Sequence, residues 1–187
     1  QIARSTDHAN VLRSAIVGAP DHGRVYVCDI DLGGSEVVVD KKIRLIGSTM
    51  KNGVLRIRSG DVKVAIDRIE STKLLLDSSV GNIEDVEIIN SSMFWSYIDH
   101  EDGGMGNLAE LILKGVYMYD AGDGGYFIHL KTCRFFMYGS HIRGPVTSGG
   151  VWLENSQHTV IDGSRINPKI TGSSGYVVNI KDVNAPI

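Results

Sequence analysis

Proline is scarce in this 187-residue chain, at four residues, and cysteine is scarcer still, at two. Two thiols cannot supply the staples on which small disulfide-rich domains depend, and a chain of this length can build a core without one. Cys28 and Cys133 are therefore expected to be small core residues, not a bridge. No apolar run approaches the roughly 20 residues that span a bilayer. Residues 1–5 lack the basic-then-apolar layout of a signal peptide, and Gln1 is no initiator methionine, which points to a processed or trimmed chain. An excess of one charge is missing too. Lys plus Arg number 19 against 22 for Asp plus Glu, a formal net charge of −3. With no basic cluster, nothing electrostatic favours a nucleic-acid partner or an anionic membrane. Local motifs are sparse as well. No serine sits in a nucleophile elbow, no glycine-rich turn carries the lysine and helix of a phosphate loop, and no His/Cys spacing suggests zinc.

What is present is apolar residues at 42% and 22 glycines, enough for a core in a chain that turns often. One helix is legible. Thr6 and Asp7 offer N-cap oxygens, Val11, Leu12, Ala15 and Ile16 give an apolar stripe, and Gly18-Ala19-Pro20 ends it. After that come short apolar runs separated by Gly and Asp/Asn/Ser: Val25-Tyr-Val27, Val37-Val-Val39, Ile43-Arg-Leu-Ile46, Val54-Leu-Arg-Ile57, Leu74-Leu-Leu76 and others to the C-terminus. Many short strands mean an all-β chain. Internal repetition selects the architecture. Gly125, Gly150 and Gly175 stand 25 residues apart and open similar segments. Lys51-Asn52-Gly53 is the one good hairpin signal, too few for a sandwich. The pattern predicts one domain over 1–187, with a helix and lead-in segment at 1–22 and the coils of a parallel β-helix at 23–187. There is room for roughly six or seven coils.

The opening segment carries a family likeness. Thr6-Asp-His-Ala-Asn-Val-Leu-Arg-Ser-Ala-Ile16, then Gly23-Arg-Val-Tyr-Val27, then Ile43-Arg-Leu-Ile-Gly-Ser48 resembles the start of phage tailspikes and pectate-lyase-like proteins. The resemblance implies a right-handed parallel β-helix whose open end is covered by the short helix. It also implies a parallel homotrimer on the virion surface, facing outward, in contact with other virion proteins and with bacterial surface glycan. The polygalacturonase-type signature, paired aspartates followed by Gly-His-Gly, is missing, so a structural spike is expected ahead of a polysaccharide depolymerase. Tyr176 to Val183 still reads as strand with no amphipathic cap after it. That predicts either a lost C-terminal domain or subunits that shield one another.

Two constellations could carry chemistry. Strand alternation with Ile128 and Leu130 inward places Phe127 and His129 outward. One coil on come Trp152 and Glu154, then Val177 and Asn179, as an aromatic column beside a polar one. Such a surface suits sugar rings or, equally, a trimer contact. The second lies in Asp99-His-Glu-Asp102-Gly-Gly104, expected in a long turn, with Asp120 and Asp123 in a neighbouring turn. With Glu154, these aspartates are the candidate catalytic carboxylates for glycoside cleavage, though Asp and Gly are also what turns are made of. Gly103-Gly-Met-Gly-Asn-Leu108 matches a calcium repeat only in part and once. No metal or cofactor is expected.

Overall fold

The computed structural model describes residues 7–58, 60–101, 107–122, 125–156, 158–173 and 175–181. It begins with helix α1 (His8–Gly18), capped by the Asp7 carboxylate, which accepts the Asn10 backbone N–H at 3.0 Å. Ala9, Leu12 and Ile16 are its buried face, while Val11 and Ala15 are exposed. The expected stripe is thus rotated. Positions 9, 12 and 16 lie on one line of an α-helix, whereas 11 and 15 fall beside it. The chain leaves the helix at Ala19, which is already extended ahead of Pro20.

The described residues then form 17 strands, every pairing parallel. The first coil holds β1 (Gly23–Val27), β2 (Ile30–Asp31) and β3 (Glu36–Val39). The second and third are single long strands, β4 (Ile43–Ile57) and β5 (Gly60–Asp77), which pass through all three faces. Three strands per coil follow: β6 (Ile83–Ile89), β7 (Ser92–Phe94) and β8 (Tyr97–Glu101); β9 (Leu108–Lys114), β10 (Tyr117–Tyr119) and β11 (Tyr126–Lys131). Next are β12 (Arg134–Tyr138), β13 (His141–Val146) and β14 (Gly149–Glu154), then β15 (His158–Asp162), β16 (Arg165–Ile170) and β17 (Tyr176–Lys181). The fold is an all-parallel β-solenoid of about six turns.

Its core is three apolar ladders, one per sheet. The first climbs Val25, Leu45, Val64, Ile88, Leu113 and Met137, with Ile161 exposed above them in the last coil. The second is Ile30, Met50, Ile69, Met93, Met118, Ile142, Ile166. The third is Val37, Leu55, Leu74, Ile98, Ile128, Val151, Val178. Each rung contacts only its neighbours, so stability accumulates coil by coil, at about 1.5–3 kcal/mol for each fully buried side chain.

Corners between sheets are made by left-handed residues, which also form columns. Asn90, Gly115, Gly139 and Gly163 turn the first corner; Asn52, Ser71, Trp95, Asp120 and Gly144 the second; Thr132 and Asn155 the third. Asn52-Gly53 is therefore a corner inside a continuous strand and not a hairpin, since the left-handed φ serves either geometry. Cys133 is buried and its thiol is pushed up to about 12 by burial, whereas Cys28 is exposed, and both are free. Cys28 follows inward Val27 and so takes the outward phase, which corrects the expectation that both cysteines lie in the core.

Candidate functional site

The outer face of the third sheet gathers most of the residues singled out from sequence, in a register that differs from the one expected. From Ile128 to Val151 is 23 residues and from Val151 to Val178 is 27, so the 25-residue step holds only as their average. Trp152 consequently stands between His129 and Asn179, with Asp99 beneath His129, as one column. Glu154 belongs to the neighbouring column, between Lys131 and Lys181. Phe127 is not in the surface column. It is fully buried in the core, because pairing is broken between Tyr126 and Ile128 and both 127 and 128 turn inward at the strand's start. Val177 is exposed but pairs with neither Trp152 nor Phe127.

Asp99, His100 and Glu101 lie in strand β8 and not in a turn. Alternation therefore separates them: Asp99 faces out, while His100 is buried beneath Ser78, with Nε2 2.9 Å from the Ser78 hydroxyl. The Lys131 backbone N–H donates to His100 Nδ1 at 3.2 Å. The ring proton of the neutral imidazole is then on Nε2 and is donated to Ser78, so His100 cannot serve Ser78 as a base. Asp102 and Asp123 lie outside the described residues. Asp120 turns the second corner with φ 64°, and its carboxylate accepts the Gly122 N–H at 2.9 Å. It thus bonds within its own turn and shares neither His129 nor Lys73 with Asp99.

Asp99 is the electrostatic centre of the surface column. His129 Nδ1–H donates to it at 3.0 Å and the Lys73 ammonium reaches it at 2.9 Å. These two partners hold its carboxyl at about 2 against the opposing effect of burial, so it is ionised. The other imidazole nitrogen, Nε2, lies 3.5 Å from Glu154 Oε1. Around this polar thread stand rings set edge to face. Trp152 is 4.9 Å from Tyr126, 6.2 Å from His129 and 6.4 Å from Tyr176 between centroids. The Trp152 indole N–H is enclosed yet has no hydrogen-bond partner among the described residues, a cost that packing alone does not explain. Burial raises the Tyr126 phenol, helped by nearby Glu154.

The sequence reading missed Lys73, Tyr126 and Tyr176 in this cluster. It also missed a second surface strip on the middle sheet, where Phe94, Tyr119 and Arg143 stack one above another. The signal was present, since 94, 119 and 143 are about one coil apart, but no glycine marks them. Between strip and cluster lies a groove of about 400 Å³ lined by Gly53, Ser71, Thr72, Lys73, Trp95, Tyr97 and Gly122. No group of three His, Cys, Asp or Glu side chains among the described residues is placed to hold a metal ion. Chemically, the third-sheet surface offers ring faces and edges for C–H contact and several donors and acceptors for hydroxyls. No family model, curated protein or solved structure matches the chain.

Proposed function

We propose that this chain is a structural β-solenoid of a phage spike or fibre, trimeric, outward-facing on the virion and joined to other virion proteins. It holds bacterial surface polysaccharide on its third sheet without cleaving it. The observation that carries the reading is the column of Asp99, His129 and Trp152 flanked by Tyr126 and Tyr176, in which aromatic rings and fixed polar groups alternate on a rigid sheet. Sugars are held by that combination, with C–H faces on the rings and hydroxyls on the polar groups. Binding without hydrolysis is favoured because glycoside cleavage needs one protonated and one ionised carboxyl. Here Asp99 is ionised and already engaged by the His129 ring N–H and the Lys73 ammonium. Subunit contact is assigned to the first sheet, where Ile112, Phe136 and Val160 form an outward apolar column.

A depolymerase is the second reading, and it now attaches to a different pair. Asp85 and Glu110 are direct neighbours on β6 and β9. Desolvation and then Glu110 draw the Asp85 carboxyl upward, although the residue as a whole is exposed, while Glu110 is paired with Arg134 at 2.5 Å. Both readings meet one experiment. The protein is incubated with capsular and O-antigen polysaccharides of candidate hosts, following tryptophan fluorescence for binding and new reducing ends or an unsaturated product for cleavage. Saturable binding that Trp152→Ala weakens, with no cleavage, is expected. Turnover abolished by Asp85→Asn overturns the binding-only reading. Sedimentation giving a stable monomer at micromolar concentration removes the trimer.

A further inference from the structure

The middle sheet differs from its neighbours in charge. β10, β13 and β16 place Tyr117, Tyr119, His141, Arg143, Arg165, Asn167 and Lys169 on its outer side, and these three strands contain no carboxylate at all. In a chain of net charge −3, that is a segregated cationic strip. Neither Arg143 nor Arg165 makes an ion pair with a carboxylate among the described residues. Arg143 is instead spread over two rings, 5.4 Å from the Tyr117 centroid and 5.5 Å from that of Tyr119, and its Nε–H donates to the Tyr117 hydroxyl. Contact with both rings and the Tyr117 hydroxyl fixes the guanidinium in place and leaves its remaining N–H groups for an anion.

At the lower edge of the strip, Trp95 stands on the second corner with φ 48° and is 45% exposed. A bulky side chain in the left-handed region costs roughly 1–3 kcal/mol, whereas Asn, Asp or Gly occupy the same corner in other coils at less cost. The indole forms one wall of the 400 Å³ corner groove, beside Phe94, whose ring lies 6.4 Å away and 6.5 Å from Tyr119. The groove-lining indole and the guanidinium are thus linked through the Phe94 and Tyr119 rings.

We propose that this corner and strip bind an acidic polysaccharide, with sugar rings packed on Trp95 in the groove and sugar carboxylates on Arg143 and Arg165. This deepens, and rests on, the reading of the chain as a glycan-holding spike. An acidic sugar fits better than single-stranded nucleic acid, the other polyanion. Bases need open aromatic faces, but Arg143 covers Tyr117 and Tyr119 and Arg68 covers Phe94 at 5.2 Å.

The test uses the whole chain, titrated with oligogalacturonate, with the same oligomer after carboxyl reduction, and with oligo-dT. Variants are Arg143→Gln, Trp95→Asn and, as a third-sheet control, Trp152→Ala. Trp95→Asn keeps a residue that tolerates the corner, so its melting temperature is expected to hold or rise while binding falls; a ring with only a packing role would lower both. The proposal expects oligogalacturonate to bind, the reduced oligomer to fail, and Arg143→Gln and Trp95→Asn each to weaken binding by roughly tenfold or more, since a charge-assisted contact or a buried ring face is lost. It is overturned if the reduced oligomer binds as well, if Arg143→Gln changes nothing, if oligo-dT binds more tightly, or if Arg143→Gln alters sedimentation because a second copy covers the strip. Host polysaccharide that binds through Trp152 while oligogalacturonate does not sinks this proposal and leaves the spike reading standing. If no polysaccharide binds at all, both fall.

Discussion

The third sheet has two ends that solve the same problem differently. Toward the N-terminus its outer face is a closed ion network. Arg56 Nη1 reaches Asp77 at 2.9 Å and Glu101 at 3.1 Å, Arg58 reaches Asp77 at 3.1 Å, and Arg56 Nε lies 2.9 Å from Glu36, an ion pair without hydrogen-bond alignment. Toward the C-terminus the same face carries Tyr126, Trp152 and Tyr176 around an indole N–H with no partner among the described residues. Charges that neutralise one another have nothing left for a ligand. Exposed ring edges do. The comparison teaches that the lower coils are built for stacking and the upper coils for contact, although one repeat generates both.

The largest effects should come from breaking the lower stack. A Cβ at Gly47 would collide with the Val27 backbone, so Gly47→Val is expected to separate the first two coils and cost several kcal/mol, as overpacking and strain do. Gly139, a corner glycine of the upper coils, has open space around it, and Gly139→Ala should lose only about 1 kcal/mol from its φ of 54°. Urea denaturation of the two variants checks the contrast; equal losses would erase it. Next is Asp77→Ala, which removes the nearly buried carboxylate shared by Arg56 and Arg58 but leaves Arg56 its pairs with Glu36 and Glu101, and should cost about 2 kcal/mol.

Much of this division was legible in the residues and part was not. The ladders could be read because inward Val, Ile, Leu and Met recur whatever the corner lengths, and the fold follows from them. The register could not, because the corners absorb two residues in one coil and return them in the next, so Trp152 fell one column from its place. Phe127 defeated alternation for a related reason: a local break in pairing lets two successive side chains turn inward. Asp99, read as a turn residue with His100 and Glu101, is a strand residue, since its own turn chemistry is outweighed by Ile98 on the core ladder.

A pH titration sharpens the comparison further. Desolvation would raise the Asp77 carboxyl, but Ser79, Arg56 and Arg58 overcome it and hold it at about 2, the same level as Asp99. Both lie below the ordinary aspartate value, so their contribution is complete above about pH 4 and is lost as pH falls toward 2. It amounts to roughly 2 kcal/mol for Asp77. Denaturant midpoints measured across that window should fall, and Asp77→Asn should flatten the fall. A midpoint indifferent to pH in wild type would mean the lower network is not holding the coils. Trp152→Phe, by contrast, is expected to shift stability by less than about 1 kcal/mol while weakening glycan contact, because it removes an unpaired N–H and leaves most of the ring packing.

The smallest effect distinguishes two cysteines that the sequence treats alike. Cys28 sits at the outward phase after β1 and Cys133 inside the core, its thiol pushed up to about 12 by burial. Only the thiolate attacks a disulfide reagent, so at neutral pH Cys28 should react in the native protein and Cys133 only after the sixth coil opens. Labelling Cys28 should leave melting unchanged. The slow labelling of Cys133 with increasing urea then measures how readily the upper coils part, and Asp77→Ala should speed it less than it speeds global unfolding if each coil depends chiefly on its neighbours. Equal acceleration would mean the solenoid opens as one unit, and the two ends of the third sheet would differ in surface chemistry alone.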